Sequence, residues 1–353
     1  MQLGEQAVRV AVHSGFTAWE ETAPAMQLMA TQVRLESGER ILICPCGHGA
    51  LGVWAASRTP PHLVVLQDTH VIAAQLARQT LAANGQAQVV VQVTLPSAEA
   101  EPFDVACLFL PKGRDLARLY LLALFSALRP GGKLYLAGPN KGGIKSVCED
   151  ASQLYGQGQL LAYKGGNRIV LFVRPDALPE LPVEFTAPGL QAGSFDGFRV
   201  EVGGHTYEIA TRPGVFARHG LDAGSRLLLD SLTVRADDRV LDVGCGYGII
   251  GMAAARQVGA QAVTLVDADL IAIECASETL RRNGLAEMRL LLGDGPSAVA
   301  DERFTLIASN PPFHSGHGVT FEIARRLVTQ AYSTLERRGR LVIVANRFLP
   351  YHR

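Results

Sequence analysis

The chain has no surplus of charge of either sign: Lys and Arg together number 33, and so do Asp and Glu. No global basic field therefore advertises a polyanionic partner, although local patches matter more than totals. There is no CxxC pair among the six scattered cysteines. "CPC" (Cys44, Cys46) is too tightly spaced for the usual zinc site, and no second ligand pair follows it. A zinc centre and a disulfide framework are thereby set aside, no metal is expected, and the cysteines read as reduced thiols. The start, "MQLGEQAVRVAVHSG", lacks the apolar core of a signal peptide, and no run is long enough to span a bilayer. These absences describe a cytoplasmic protein with no membrane partner. Lysine is missing after Lys164, where arginine takes over. Genome composition explains this, and bidentate phosphate contact is the alternative.

What is present is a repeat. The 353 residues suit two domains rather than one, and their apolar content supplies two cores. "RILICPCGHGALGVWAA" (40–56) aligns without a gap on "RVLDVGCGYGIIGMAAA" (239–255). The register continues: "LVVLQD" ending at Asp68 meets "AVTLVD" ending at Asp267, and "LAANG" (81–85) meets "LRRNG" (280–284). Farther on, "FDVACLFLPK" (103–112) answers "FTLIASNPPF" (304–313), and "RPGGKLYLAG" (129–138) answers "ERRGRLVIVA" (336–345). Each copy alternates short β-rich apolar runs with alanine-rich helical stretches, the signature of a mostly parallel sheet with helices on both faces. The expected fold is α/β, with two tandem doubly wound, Rossmann-like domains over 1–175 and 198–353. Between them, a proline-, alanine- and glycine-rich stretch (176–197) reads as a linker. "FRVEVGGHTYEIA" (198–210) carries two alternating runs around Gly203-Gly204, a hairpin signal that opens the second domain.

The copies part where chemistry would live. The second has Asp242, Gly244, Gly246, Gly248 and Gly251, whereas the first has Ile43, Pro45, Gly47, Gly49 and Gly52. Phe109 and Leu110 stand where the second copy has Asn310 and Pro311. The first copy keeps the scaffold without the polar groups and reads as a degenerate partner for RNA docking or structural support.

The loop in "VLDVGCGYGIIG" lets a ligand approach the backbone closely, but several nucleotide cofactors share that device. Its G-x-G-x-G spacing departs from the dinucleotide G-x-G-x-x-G, and Asp242 lies two residues before the first glycine. A carboxylate there repels a pyrophosphate and suits a cationic, amino-bearing ligand such as S-adenosylmethionine, which ranks an NAD oxidoreductase last. Asp267 closes the next strand, where an acid can accept ribose hydroxyls. Asp294, in "LLLGDG", is placed to meet an adenine amine. An Asp at a strand end also serves as a turn former or helix cap.

"SNPPF" (309–313) ends the fourth strand of the second copy at the carboxyl edge, beside that crevice. A double proline stops a sheet and makes a stiff exit. Asn310 Oδ1 and the Pro311 carbonyl can accept the N–H groups of an amine whose lone pair is otherwise delocalised, aiming that lone pair at a methyl carbon. Phe313 can stack on a planar base. His314 and His317 are loop residues that could ferry a proton or touch phosphate.

With "SNPPFHSG", "PGVFARHGLDAGSRLLLD" (213–230), "VLDVGCGYG" and "VANRFLPY" (344–351), the chain resembles the ribosomal RNA guanine-N2 methyltransferases of the RsmC and RlmG type over nearly its whole length. The resemblance implies class I methyltransferase domains, the N-terminal one degenerate. It implies transfer from S-adenosylmethionine to the N2 amine of a guanosine in 16S ribosomal RNA of the small subunit; apart from the resemblance, a monomer is expected. It also implies an amine site at Asn310, Pro311 and Phe313. The cofactor site would comprise Asp242, Gly244, Gly246, Asp267, Asp294 and Asn310, with Phe216, Asp222 and Gly224 packed over the cofactor. A protein glutamine methyltransferase and a non-catalytic RNA-binding or assembly protein remain as alternatives. In the first copy Lys112, Arg114, Arg118, Lys141 and Lys145 are candidate RNA contacts. That copy runs on through "GQLLAYKGGNRIVLFVRP" (158–175), whereas the second stops at "FLPYHR". The natural protein is therefore expected to continue beyond Arg353, or to lack a closing hairpin and expose an edge strand.

Overall fold

Unbroken apolar runs such as Ile41–Cys44 are stable only when both faces of a strand are covered, which is the condition of a parallel sheet sandwiched by helices. The computed structural model describes residues 1–13, 18–98, 101–177, 180–311 and 321–345, and divides the chain into two units, Met1–Gly193 and Ser194–Arg353.

In the first unit the strands are β1 (Ile41–Cys44), β2 (Val64–Asp68), β3 (Val90–Val93), β4 (Phe103–Phe109), β5 (Leu128–Pro139), β6 (Gln159–Lys164) and β7 (Asn167–Val173). Their order is β3-β2-β1-β4-β5-β7-β6, with β7 antiparallel to both neighbours and the other pairings parallel. The helices are α1 (Ala18–Gln32), α2 (Ala50–Ala56), α3 (Val71–Ala83), α4 (Arg114–Ala127) and α5 (Ile144–Tyr155). Alternate residues of β1 serve different cores. Ile41 and Ile43 join Met29, Trp54 and Leu81 from α1, α2 and α3. Leu42 and Cys44 join Leu121, Phe125 and Leu154 from α4 and α5.

The second unit opens with a hairpin, β8 (Asp196–Val202) and β9 (His205–Thr211), and continues through α6 (Ala223–Ser231), β10 (Val240–Val243), α7 (Ile249–Val258), β11 (Val263–Asp267), α8 (Leu270–Arg282), β12 (Arg289–Leu292), β13 (Phe304–Ser309), α9 (Phe321–Thr334) and β14 (Leu335–Ile343). Its main sheet is parallel, in the order β12-β11-β10-β13-β14. Among the described residues it has no counterpart of the β6–β7 hairpin, and β14 is its edge.

The strand registers reproduce the internal repeat residue by residue. Ile41 faces Val64 and Val105, and its counterpart Val240 faces Val263 and Leu306. Even the register shift recurs, Phe103 pairing with Leu128 and Phe304 with Leu335 ahead of it.

The repeat also reaches farther back than the sequence suggested. Gln2–Leu3 pairs antiparallel with Gln6–Ala7, Leu3 opposite Gln6 as Val202 is opposite His205. Thr80 and Asn84 accept the N–H groups of Ala11 and Arg9, just as Thr279 and Asn283 accept those of Ala210 and Glu208. The hairpin assigned to the second copy alone thus has a shortened counterpart in the first, too brief to show an alternating pattern. The stretch 176–197, read as a linker, contains the turn Val183–Phe185, and Phe185 is fully buried in the α4–α5 core of the first unit.

Candidate active site

Strands that all run the same way deliver their carboxyl ends to one edge, and ligands bind there at the point where the strand order reverses. In the second unit this point lies between β10 and β13. The glycine loop leaving β10 has φ of 67° at Gly244, 56° at Gly246 and 87° at Gly248, left-handed values that favour glycine. A Cβ on Gly244 or Gly246 would meet nothing within 4 Å among the described residues, so nothing described covers the loop backbone there. Pro45, the counterpart of Gly244, cannot take a positive φ because its ring holds φ near −65°. The two loops must therefore follow different paths at that residue.

Asp267, at the end of β11, braces the loop: its Oδ2 accepts the Gly246 N–H at 2.9 Å and its Oδ1 that of Asp269 at 3.0 Å. Asp68 holds the N–H groups of Gly47 and His70 in the same way, each at 3.0 Å. An interaction kept in the degenerate copy belongs to the architecture, so ligand contact is not the whole of Asp267's work.

Asp242 lies near the end of β10. It is fully buried beneath the loop, where Oδ2 accepts the Gly251 N–H at 2.8 Å and Oδ1 has no partner among the described residues. Burial pushes its pKa up to about 7, with the charge of Asp267 adding and the Gly251 N–H opposing. Burial likewise pushes Asp267 up to about 6 against the N–H groups it accepts, and the charge of Asp269 adds to the rise. Two acids at this edge are thus held toward their neutral forms, and a cation arriving there favours their ionised ones.

Asn310 follows β13 directly. The Ser309 hydroxyl donates to the Val243 carbonyl at 2.7 Å and pins the ends of β13 and β10 together. Asn310 Nδ2 lies 3.0 Å from Ser225 Oγ and 3.3 and 3.5 Å from the Asp222 carboxylate oxygens. Asp222 caps α6, accepting the N–H of Gly224 at 2.9 Å and of Ser225 at 3.2 Å. A Cβ on Gly224 would come within 3.2 Å of Asn310 Oδ1 and 3.0 Å of Asp222 Oδ2, so a side chain here would press on both groups. Asp222, expected over the cofactor together with Gly224, thus reaches Asn310 as well. Pro311 is buried; Phe313, His314 and His317 lie outside the described residues.

Asp294 follows β12, and its carboxylate is ion-paired with Arg326 of α9. Phe216 is 65% exposed, next to Ala217 at φ 54°. Among the candidate RNA contacts, Arg114 and Arg118 both bind the wholly buried Asp150, at 2.8 and 3.0 Å. A buried carboxylate needs paired cations, so these two guanidiniums serve the fold. Lys141 and Lys145 are exposed, one just before α5 and one in its first turn.

Sequence reasoning missed Ser225, Ser309, Asp269 and Arg326. Only Ser225, three residues after a capping Asp, and Asp269, two after Asp267, had a local signal. Ser309 and Arg326 act through partners distant in sequence.

Comparison with known proteins agrees with this architecture. The model of the family "Methyltransferase small domain" matches residues 206–353, and that of "Methyltransferase small domain N-terminal" matches residues 56–159. "Ribosomal RNA small subunit methyltransferase C" of Stutzerimonas stutzeri (strain A1501) is 37% identical over 250 residues, 70% of this chain and 71% of that protein. The protein of the same name from Pseudomonas aeruginosa (strain LESB58) is 38% identical over 248 residues, 70% of each chain. Among solved structures, the T. thermophilus 16S rRNA N2 G1207 methyltransferase (RsmC) in complex with AdoMet and guanosine is similar over 98% of this chain and 88% of that one, at 30% identity and a TM-score of 0.80.

Fold and loop together define an S-adenosylmethionine-dependent class I methyltransferase with a duplicated, N-terminally degenerate scaffold. Within that class, the chain belongs to the ribosomal RNA small subunit methyltransferase C family.

Proposed function

We infer that the protein methylates the exocyclic N2 amine of a guanosine in 16S ribosomal RNA, using the second unit for chemistry. The observation that carries this reading is the placement of Asn310 and Pro311 at the switch point, at the end of the strand beside the glycine loop. The residues present suit S-adenosylmethionine: nothing described covers the loop backbone at Gly244 and Gly246, and Asp242 and Asp267 are poised to gain from a positive charge. Asp267 would take the ribose, the glycine loop the amino-acid end, and Asp294 and Phe216 the adenine side. When bound, the cofactor supplies an electrophilic methyl group on a sulfonium.

The protein's own task is to present the amine. A guanine N2 amine is a weak nucleophile because its lone pair is spread into the ring. Asn310 Oδ1 and the Pro311 carbonyl accept its two N–H groups, favour a pyramidal nitrogen and direct the lone pair at the methyl carbon. Phe313 stacks on the base. The methylated nitrogen is cationic and gives its extra proton to water, so no strong base is needed. On this reading the first unit serves RNA docking or support, with Lys141 and Lys145 left for phosphate contact. The enzyme acts as a cytoplasmic monomer without metal or membrane. No helix among the described residues is long and apolar enough to cross a membrane.

The test is methyl transfer from labelled S-adenosylmethionine to unmodified small subunits, large subunits and free ribosomal RNA, with nucleosides identified by mass spectrometry. N2-methylguanosine in 16S RNA is the expected product. Transfer to a release-factor glutamine instead, or to no RNA at all while the cofactor still binds, would overturn the reading.

A further inference from the structure

Asn310 can do its work only if its amide presents oxygen, not nitrogen, to the incoming amine. A side-chain amide has two nearly isosteric orientations, and a free one would sample both. We propose that Asp222, with Ser225, is the positioning residue that locks the Asn310 amide in its acceptor-forward orientation. This inference rests on the reading of Asn310 as the amine acceptor and assigns Asp222 a role apart from cofactor binding.

The geometry carries it. A carboxylate offers only lone pairs, so the amide edge that faces it must be the NH2 edge. Both Asp222 oxygens lie on the Nδ2 side of Asn310, at 3.3 and 3.5 Å, and Ser225 Oγ lies there at 3.0 Å. Turning the amide over would set Oδ1 against a carboxylate, two acceptors face to face with no proton between them. The clamp is itself held still. Asp222 is tied to the first turn of α6 through the N–H groups of Gly224 and Ser225, Ser225 is buried, and Ser309 pins the strand end from which Asn310 leaves. A side chain at Gly224 would press on both groups of the contact.

The internal repeat supplies a second observation. α1 ends at Gln32 and α6 at Ser231, matching positions of the two copies, which sets Ala23 opposite Asp222. The copy with Phe109 in place of Asn310 thus also lacks the acid, and its helix, begun at Ala18, runs straight through that position. In the second copy the helix starts late, at the place where its capping acid meets the amide. Acid and amide are present together in one copy and absent together from the other.

Asp222→Asn separates capping from positioning, because Asn caps a helix as well as Asp does while its own amide can offer either edge. The expected result with 16S RNA substrate is a fall in kcat of about tenfold to hundredfold, on the scale of a lost oriented hydrogen-bonding group. The S-adenosylmethionine Kd and the melting temperature should stay near those of the parent. The decisive readout is coupling. In an Asn310→Ala background, where no amide is left to orient, Asp222→Asn should cost nothing further. If Asp222→Asn lowers kcat equally in both backgrounds, or raises the cofactor Kd as its main effect, the positioning role is wrong. If Asn310→Ala itself leaves kcat unchanged, it is the reading of Asn310 that fails. If Asn310→Ala abolishes turnover but Asp222→Asn alone leaves the parent's kcat unchanged, the inference fails while that reading stands.

Discussion

Asp267 braces the scaffold, and on the proposed reading it belongs to the cofactor site as well. Its brace on the Gly246 N–H has a twin in Asp68, yet only the second copy has a glycine at 244 to open the loop. Asp267→Ala should therefore raise the S-adenosylmethionine Kd by about tenfold or more, at least ~1.4 kcal/mol, through the loss of both ribose contact and loop geometry. Isothermal calorimetry reads this directly, and an unchanged Kd would remove Asp267 from the site. The acids also predict a pH dependence. The pKa values of Asp242 and Asp267 rise from 3.8 to about 7 and about 6 in the folded protein. Their protonated forms thus favour folding fully below pH 3.8, and that contribution is lost as pH climbs through 6 and 7. The ligand-free enzyme should lose stability from these groups between about pH 4 and 7. A cationic cofactor, which favours the ionised forms, should raise the melting temperature more at about pH 8 than at about pH 5, and release protons on binding near about pH 6.5. Calorimetry in buffers of different ionisation enthalpy would detect the release, and net proton uptake would contradict it. The burial of Asp242 was not legible in its one-letter context, because a strand residue before a loop can face ligand or core. The Oδ2 of Asp242 turns to the Gly251 N–H of α7, and that contact decides the matter.

At the scale of elements, the parallel strands were legible because each is a short apolar run bounded by turn residues, and pairing register followed from the repeat. The N-terminal hairpin was not, since two strands of two residues carry no period to read. What holds that segment is a side-chain clasp: Thr80 and Asn84 on and just after α3, and Thr279 and Asn283 on and just after α8, each take a backbone N–H from the chain beside them. Thr279 and Ala210 are both fully buried, so Thr279→Val keeps the shape and leaves the Ala210 N–H without an acceptor. The expected cost is about 1–3 kcal/mol, the penalty for an orphaned buried donor. Chemical denaturation followed by far-UV circular dichroism would show it as a lower midpoint, and an unmoved midpoint would mean that the clasp is redundant. Thr80→Val makes the same test in the first unit. Both tryptophans, Trp19 and Trp54, lie there, so tryptophan fluorescence follows that unit.

The whole molecule repeats its fold without repeating its chemistry. Duplication was legible because strand cores change slowly in character: "RILIC" and "RVLDV" serve the same place in two sheets of matching register. The loss of function in the first copy was legible from Ile43, Pro45, Phe109 and Leu110, each an apolar or rigid residue at a place that needs a polar or flexible one. Contacts that depend on distant elements, Asn310 with Asp222 or Asp294 with Arg326, were beyond reach because no local pattern encodes them. The first unit nevertheless retains Asp68, Gly47 and Gly49, the features that most resemble a nucleotide site. Whether those residues bind or merely brace is a matter of stoichiometry. Asp68 is buried and already takes two loop N–H groups, and Pro45 denies the loop the positive φ that Gly244 adopts. A calorimetric titration should therefore find one S-adenosylmethionine per chain. Asp68→Ala should leave both that number and the Kd unchanged while lowering the unfolding midpoint of the first unit. Two equivalents bound, or a Kd that shifts with Asp68→Ala, would mean that the degenerate copy still holds a cofactor and that its retained acid is more than a brace.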